Sequence, residues 1–105
     1  MTTSGYREID HTADLGFDLW ADSIPGLFEE AVLALSEVCY ERTAVLWAEE
    51  RTLEVRGTDP EEQLVRWLQE TYMQLESDLW LTAAATNVVV KGEMVKGTLH
   101  GEPID

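Results

Sequence analysis

The sequence predicts an α+β fold, a two-layer domain spanning residues 1–105 in which a mostly antiparallel sheet carries two amphipathic helices packed on one face. Three observations predict it. Apolar residues recur at helical spacing in two stretches, Leu27 to Val38 and Leu64 to Leu75. Shorter runs around them alternate or are rich in β-branched residues, as Tyr6 to Ile9, Phe17 to Ala21 and Val88 to Val90 do. The length, 105 residues, suits one domain with a single core.

Tyr6 to Ile9 reads as a first strand, and Phe17, Leu19 and Ala21 alternate with Asp18 and Trp20 as a second. Asp22 or Ser23 caps the first helix, with Pro25 in its first turn and Leu27, Phe28, Ala31, Val32, Ala34, Leu35 and Val38 on one broad apolar face. A polar stretch from Tyr40 to Thr43 follows. Ala44 to Trp47 and Thr52 to Arg56 read as two short strands around an acidic turn at Glu49-Glu50. The second helix has the clearer start: Asp59 as N-cap, Pro60 at the first helical position and Glu62 placed to close a capping box. Leu64, Trp67, Leu68, Thr71, Tyr72 and Leu75 form its core-facing stripe. Leu79 to Leu81 reads as a short strand, Ala83 to Ala85 carries no signal, and Val88 to Val90 is a strand leading through the hairpin turn Lys91-Gly92-Glu93 into Met94 to His100.

Seven basic against twenty-one acidic residues give a formal charge of −14, with a pI near 4.2. Gripping nucleic acid requires a basic patch that displaces counterions, and the Arg and Lys residues here are scattered singly, so direct nucleic-acid binding is not expected. Such a surface suits solubility, docking to a basic partner or binding of a hard cation. Cys39 is the single cysteine, which excludes an internal disulfide and a cysteine-based zinc site; it reads as a small core residue. No basic-then-apolar leader and no membrane-length apolar run is present, and a cytoplasmic location is expected.

The most informative segment is His11-Thr12-Ala13-Asp14-Leu15-Gly16, which sets a short carboxylate beside glycine at a break between two strands. Asp14 is the candidate oxygen ligand for a metal, although Thr12, Asp14 and Gly16 would equally build a plain turn. His11 and His100 could join Asp14 at a metal, while two lone histidines more often serve packing or surface roles. Asp10, Asp14 and Asp18 are spaced by four but lie in a strand-loop-strand context, so they do not share a helix face. One carboxylate cannot hold a hard divalent ion alone, so further ligands must come from elsewhere in this chain or from another molecule. No glycine cluster builds a phosphate loop, and no serine sits on a strand-to-helix elbow. Trp67 follows the core stripe of the second helix. Trp20 falls on the strand face opposite Phe17 and Leu19, where it would be either a docking anchor or buried under another element.

Three segments, Tyr6 to Gly16, Leu27 to Leu35 and Asp59 to Glu70, with a shorter fourth at Gly101 to Asp105, resemble the archease family. The resemblance covers essentially the whole chain. It implies a small acidic accessory protein, not itself an enzyme, that promotes guanylylation and multiple turnover of the GTP-dependent RNA-splicing ligase of tRNA maturation. It also implies a divalent metal, calcium, magnesium or manganese, held by acidic residues of which Asp14 is the matching one. The resemblance departs at its end: the family continues past the segment resembling Gly101 to Asp105 through further strands to a terminal aspartate that completes the metal site. The expected sheet is correspondingly short, with an exposed edge open to pairing and hence to homo-oligomer formation, against which the charge of −14 acts. The alternative implied by the same family is a chaperone-like interaction module for an RNA-modifying enzyme such as a tRNA methyltransferase. A metal-dependent enzyme built on Asp14, His11 and His100 lacks a nucleophile and an oxyanion site.

Overall fold

The computed structural model describes residues 5–10, 15–20, 23–40 and 44–104. The elements are β1 (Gly5–Asp10), β2 (Leu15–Trp20), α1 (Ile24–Cys39), β3 (Glu49–Arg56), α2 (Pro60–Asp78), β4 (Trp80–Lys91) and β5 (Met94–Pro103), the α+β class that the sequence predicts. Every strand pair is antiparallel. The strands form two hydrogen-bonded sheets, a β1-β2 hairpin and a three-stranded sheet in the order β3-β5-β4. Helix α2 packs on all three strands of the larger sheet, and α1 packs on β4, on α2 and beside the hairpin.

Alternation along β3 and β5, and along β4 as its two bulges shift it, explains which side chains meet. Leu53 and Val55 of β3, Val95 and Leu99 of β5, and Trp80, Ala85 and Val88 of β4 face Phe28 and Val32 of α1 and Trp67 of α2 in one core. Trp67 is its centre. Its indole N–H donates to the Phe28 carbonyl at 3.1 Å, and its ring meets that of Phe28 edge-on at 5.9 Å, so the largest apolar side chain is buried with its polar atom satisfied.

The helix starts are locally encoded. Of the two candidate caps of α1, Ser23 does the work, accepting from the Gly26 N–H at 3.1 Å; Asp22 lies outside the described residues. Asp59 caps α2 by accepting from the Glu62 N–H at 2.8 Å, and Glu62 reaches back to the Thr58 N–H at 2.8 Å, one residue before the usual partner in a capping box.

Several expectations are corrected. Ala44 to Trp47 is irregular and not a strand; Glu49-Glu50 is no turn but the start of β3, paired with Gly101 and His100. The turn reading rested on local polarity, whereas pairing with β5 decides the backbone. Leu79 belongs to no strand: it caps α2 in a left-handed conformation at φ 52, and the short strands expected at Leu79 to Leu81 and Val88 to Val90 are parts of one twelve-residue strand, β4, that begins at Trp80. Tyr72 of the expected core stripe is 40% exposed, because Gln63, Trp67 and Thr71, each four residues apart, form the buried line and Tyr72 is turned about 100° from it. Val38, in the last turn of α1, is also exposed, and Cys39 beside it is half-buried and not a core residue; that partial burial raises its thiol pKa.

The two bulges of β4 explain why its sequence carried no continuous strand pattern. Register shifts fall between Thr82 and Ala84 and between Thr86 and Val89, the second containing Asn87 at φ 55, a conformation asparagine tolerates. At the first bulge the Thr82 carbonyl accepts from Ser36 Oγ at 2.7 Å and from the Tyr40 hydroxyl at 2.6 Å, tying the end of α1 to the strand. At the far end of the sheet the Gln63 side-chain amide donates to the carbonyls of Gly57 at 3.2 Å and Gly92 at 3.0 Å, joining the entrance of α2 to the β4-β5 turn.

Candidate functional site

Gly26, Glu29, Glu30 and Leu33 recur at helical spacing on one stripe of α1, distinct from the stripe of Phe28 and Val32 that enters the core. That second stripe looks along the bulged stretch of β4 from Ala83 to Thr86. Three alanines in succession leave little side-chain volume there. The result is a cleft of about 440 Å³ between α1 and β4, closed on a third side by Val45 and Trp47. The volume lies within the usual range for small-ligand or side-chain pockets.

Trp47 rims this cleft with 60% of its surface exposed, and Leu46 beside it is 65% exposed. The indole is fixed from one side: it stacks on the buried His100 ring at 4.4 Å between centroids and 20° between planes. His100 is itself held, Nε2 sharing a hydrogen bond of 2.6 Å with Thr86 Oγ1 and Nδ1 lying 3.7 Å from the Glu50 carboxylate. The neighbouring Leu46 N–H donates to Glu102 at 2.6 Å, which anchors the irregular segment to β5. Within the cleft, Glu29 stands 3.5 Å from the Val88 N–H on the outer edge of β4, where the bulge interrupts the ladder. The wall is therefore aromatic and apolar, and the charges on its rim are carboxylates.

A second aromatic-charge cluster lies at β3. Arg51 sits 4.6 Å above the Trp80 ring, donates to Gln74 at 2.8 Å and pairs with Asp78 at 2.9 Å, while Glu49 accepts from the Trp80 N–H at 3.0 Å. All of its members are partnered within the chain.

The predicted ligands distribute unevenly. Asp14 and His11 lie outside the described residues, as do the side chains of Asp10, Asp18 and Trp20. His100 is described, and its two nitrogens face Thr86 and Glu50 beneath Trp47. Among the described residues no three His, Cys, Asp or Glu side chains converge on a point where a metal ion could sit, so these residues alone do not fit a divalent cation. Trp47, Glu29 and the alanine floor were not singled out by sequence reasoning. The run Ala83-Ala84-Ala85 was the available signal, since a strand with no side-chain bulk has to leave space beside it. Among the described residues no helix is long and apolar enough to cross a membrane.

The described residues form an α+β scaffold with a cleft that has an aromatic rim and carboxylates at its edge. Comparison then settles the family. The model of the Archease protein family (MTH1598/TM1083) matches residues 6–105. Protein archease of Methanopyrus kandleri is 37% identical over 103 residues, covering 95% of this chain and 74% of that one. Protein archease of Archaeoglobus fulgidus is 33% identical over 98 residues, 91% of this chain and 72% of that one. The solution structure of Methanobacterium thermoautotrophicum protein 1598 superposes with a TM-score of 0.77 at 30% identity, covering 96% of this chain and 74% of that one. The chain belongs to the archease family.

Proposed function

We propose that this archease-family chain is the accessory protein of a GTP-dependent RNA-splicing ligase, promoting guanylylation of the ligase and its repeated turnover. Family membership over residues 6–105 supports the coarser part of that reading, an accessory protein of RNA processing, and is the observation that carries it. The charge of −14 supports the finer part: an enzyme that binds RNA and GTP presents basic surface, toward which an acidic partner is steered. The same charge disfavours direct contact with RNA. The name shared by the relatives, Protein archease, states no catalysed reaction, in keeping with an accessory role.

The metal part of the proposal rests on Asp14 and on the family resemblance. A divalent ion there would supply positive charge to phosphate oxygens, and Asp14 would be one of its oxygen ligands.

Single-turnover guanylylation of a cognate ligase with GTP and divalent metal tests the proposal, comparing no addition, wild-type chain and Asp14→Ala. Acceleration by the wild type and its loss in Asp14→Ala is the expected outcome. No acceleration from folded wild-type chain in stoichiometric excess would overturn the ligase reading. Suppressed aggregation of a tRNA methyltransferase would then put the chaperone role in its place.

A further inference from the structure

We propose that the cleft between α1 and β4 holds an arginine side chain from an extended, basic segment of a protein partner, with its guanidinium stacked on Trp47 and directed to Glu29. This rests on the accessory-protein reading above and names the surface and the chemistry by which the partner is gripped.

The occupant follows from what the cleft offers. An anionic ligand is opposed by a chain of charge −14 and by the glutamates of α1 on the rim. A wholly apolar segment would strip water from those carboxylates and return no hydrogen bond. A side chain with an apolar stem and a cationic head satisfies both parts, its stem against Leu33 and the alanine floor and its head at the rim. Arginine fits better than lysine, because a planar guanidinium stacks on an indole and presents forked donors to a carboxylate.

Trp47 is built for such a contact. Its one face is backed by the buried His100 ring, which is itself tied to Thr86, so the exposed face is held in place before anything binds. Pre-organisation of this kind lowers the entropy cost of association. Leu46, the residue before it, is also exposed and adds apolar surface beside the rim. The chain already contains the proposed arrangement once, internally, where Arg51 lies over Trp80 and is clamped by Asp78.

The probe is an acetylated, amidated pentapeptide of glycine, arginine, leucine, arginine and glycine, with a counterpart in which citrulline replaces both arginines. Titration into the full chain is followed by amide and indole chemical shifts. The expected result is saturable shifts confined to Trp47, Ala83 to Thr86 and the Glu29 turn, with the citrulline peptide about tenfold weaker. Trp47→Ala and Glu29→Gln should each weaken binding severalfold, and Trp47→Phe should recover part of it; circular dichroism checks that each variant is folded. Equal binding of the citrulline peptide, shifts located elsewhere, or unaltered affinity in both folded variants would overturn the proposal. So would saturable binding of a single-stranded RNA oligonucleotide at Trp47, which would make the partner a nucleic acid. The guanylylation assay separates the two readings. If the wild type stimulates the ligase and Trp47→Ala and Glu29→Gln stimulate it equally well, the cleft proposal fails while the ligase reading stands. If the wild type does not stimulate, the ligase reading fails and the peptide titration decides the cleft alone.

Discussion

Gly101→Ala is the substitution whose cost the backbone geometry sets most tightly. Gly101 pairs with Thr82 at the first bulge of β4, where the two strands approach more closely than side chains allow. A methyl group on Gly101 would overlap the Leu81 carbonyl oxygen and lie 2.9 Å from its carbon and 3.1 Å from the Thr82 Cα. All three are backbone atoms, so no rotamer change relieves the overlap, and β4 and β5 have to separate locally. Overpacking of this kind costs about 1–3 kcal/mol. Lengthening one or two ladder hydrogen bonds adds about 0.5–1.5 kcal/mol each. The sum is a loss of about 1.5–6 kcal/mol, which for a domain of this size lowers Tm by at least about 6 °C. Gly97→Ala is the internal control, since its methyl would meet the Trp67 Cη2 and Val88 Cγ2 atoms at 3.0 Å, side chains that have only a few tenths of an ångström to give, where at Gly101 the obstacle is backbone and the overlap deeper. Urea unfolding of wild type and both variants at one protein concentration gives the comparison. A Gly101→Ala protein within 0.5 kcal/mol of wild type, on a scale where surface changes fall inside about ±0.5 kcal/mol, would refute the argument, as would a greater loss in Gly97→Ala.

Three further expectations follow from single side chains. Gln63→Leu leaves the Gly57 and Gly92 carbonyls without their donor and should cost about 2–3 kcal/mol in urea unfolding; an unchanged midpoint would show that the amide contributes nothing net. Leu79→Gly relieves a left-handed leucine whose side chain is exposed. It should stabilise by up to about 1 kcal/mol once the greater freedom of glycine in the unfolded chain is deducted from the relieved strain, and destabilisation would contradict that balance. Burial raises the phenol pKa of Tyr40 above its ordinary 10.0, against the opposing pull of its hydrogen bonds to Ser36 and Thr82. The folded chain therefore keeps that proton to higher pH than the unfolded chain, so the associated stability is full below pH 10 and is lost as pH rises through the raised value. Urea midpoints of wild type and Tyr40→Phe from pH 8.0 upward should converge above pH about 10, and parallel curves would sink the assignment.

What could be read from the sequence was what is encoded locally. Ser23 with Pro25, and Asp59 with Pro60 and Glu62, fix helix starts through bonds spanning three or four residues, and both starts were legible. The stripe of α2 was legible around Trp67 and not at Gln63 and Thr71, because a buried polar side chain is favourable only through partners that the sequence does not reveal, here the Gly57, Gly92 and Trp67 carbonyls. Strand β4 was seen only in fragments: two bulges shift its alternation and three alanines contribute none. Glu49 and Glu50 looked like a turn because strand pairing with residues fifty positions away outweighs local polarity. The cleft has the same cause. Glu29, Trp47 and Ala84 come from an α-helix, an irregular segment and a strand, and nothing in their spacing announces that they share a wall.

The double donation of Gln63 also has a kinetic side. Its two acceptors lie 6 and 29 residues away, one before α2 and one at the β4-β5 turn, and one planar amide meets both only when helix and hairpin are already docked. An interaction that demands two finished neighbours is expected to form after the transition state, and it would then act as a latch on the way out and not as a guide on the way in. Gln63→Leu should therefore steepen the escape from the native state, raising the unfolding rate by nearly the whole equilibrium change while leaving the folding limb of the chevron where it was. Such a latch, at the end of the sheet away from the cleft between α1 and β4, would lengthen the life of each folded molecule without stiffening the walls of that cleft.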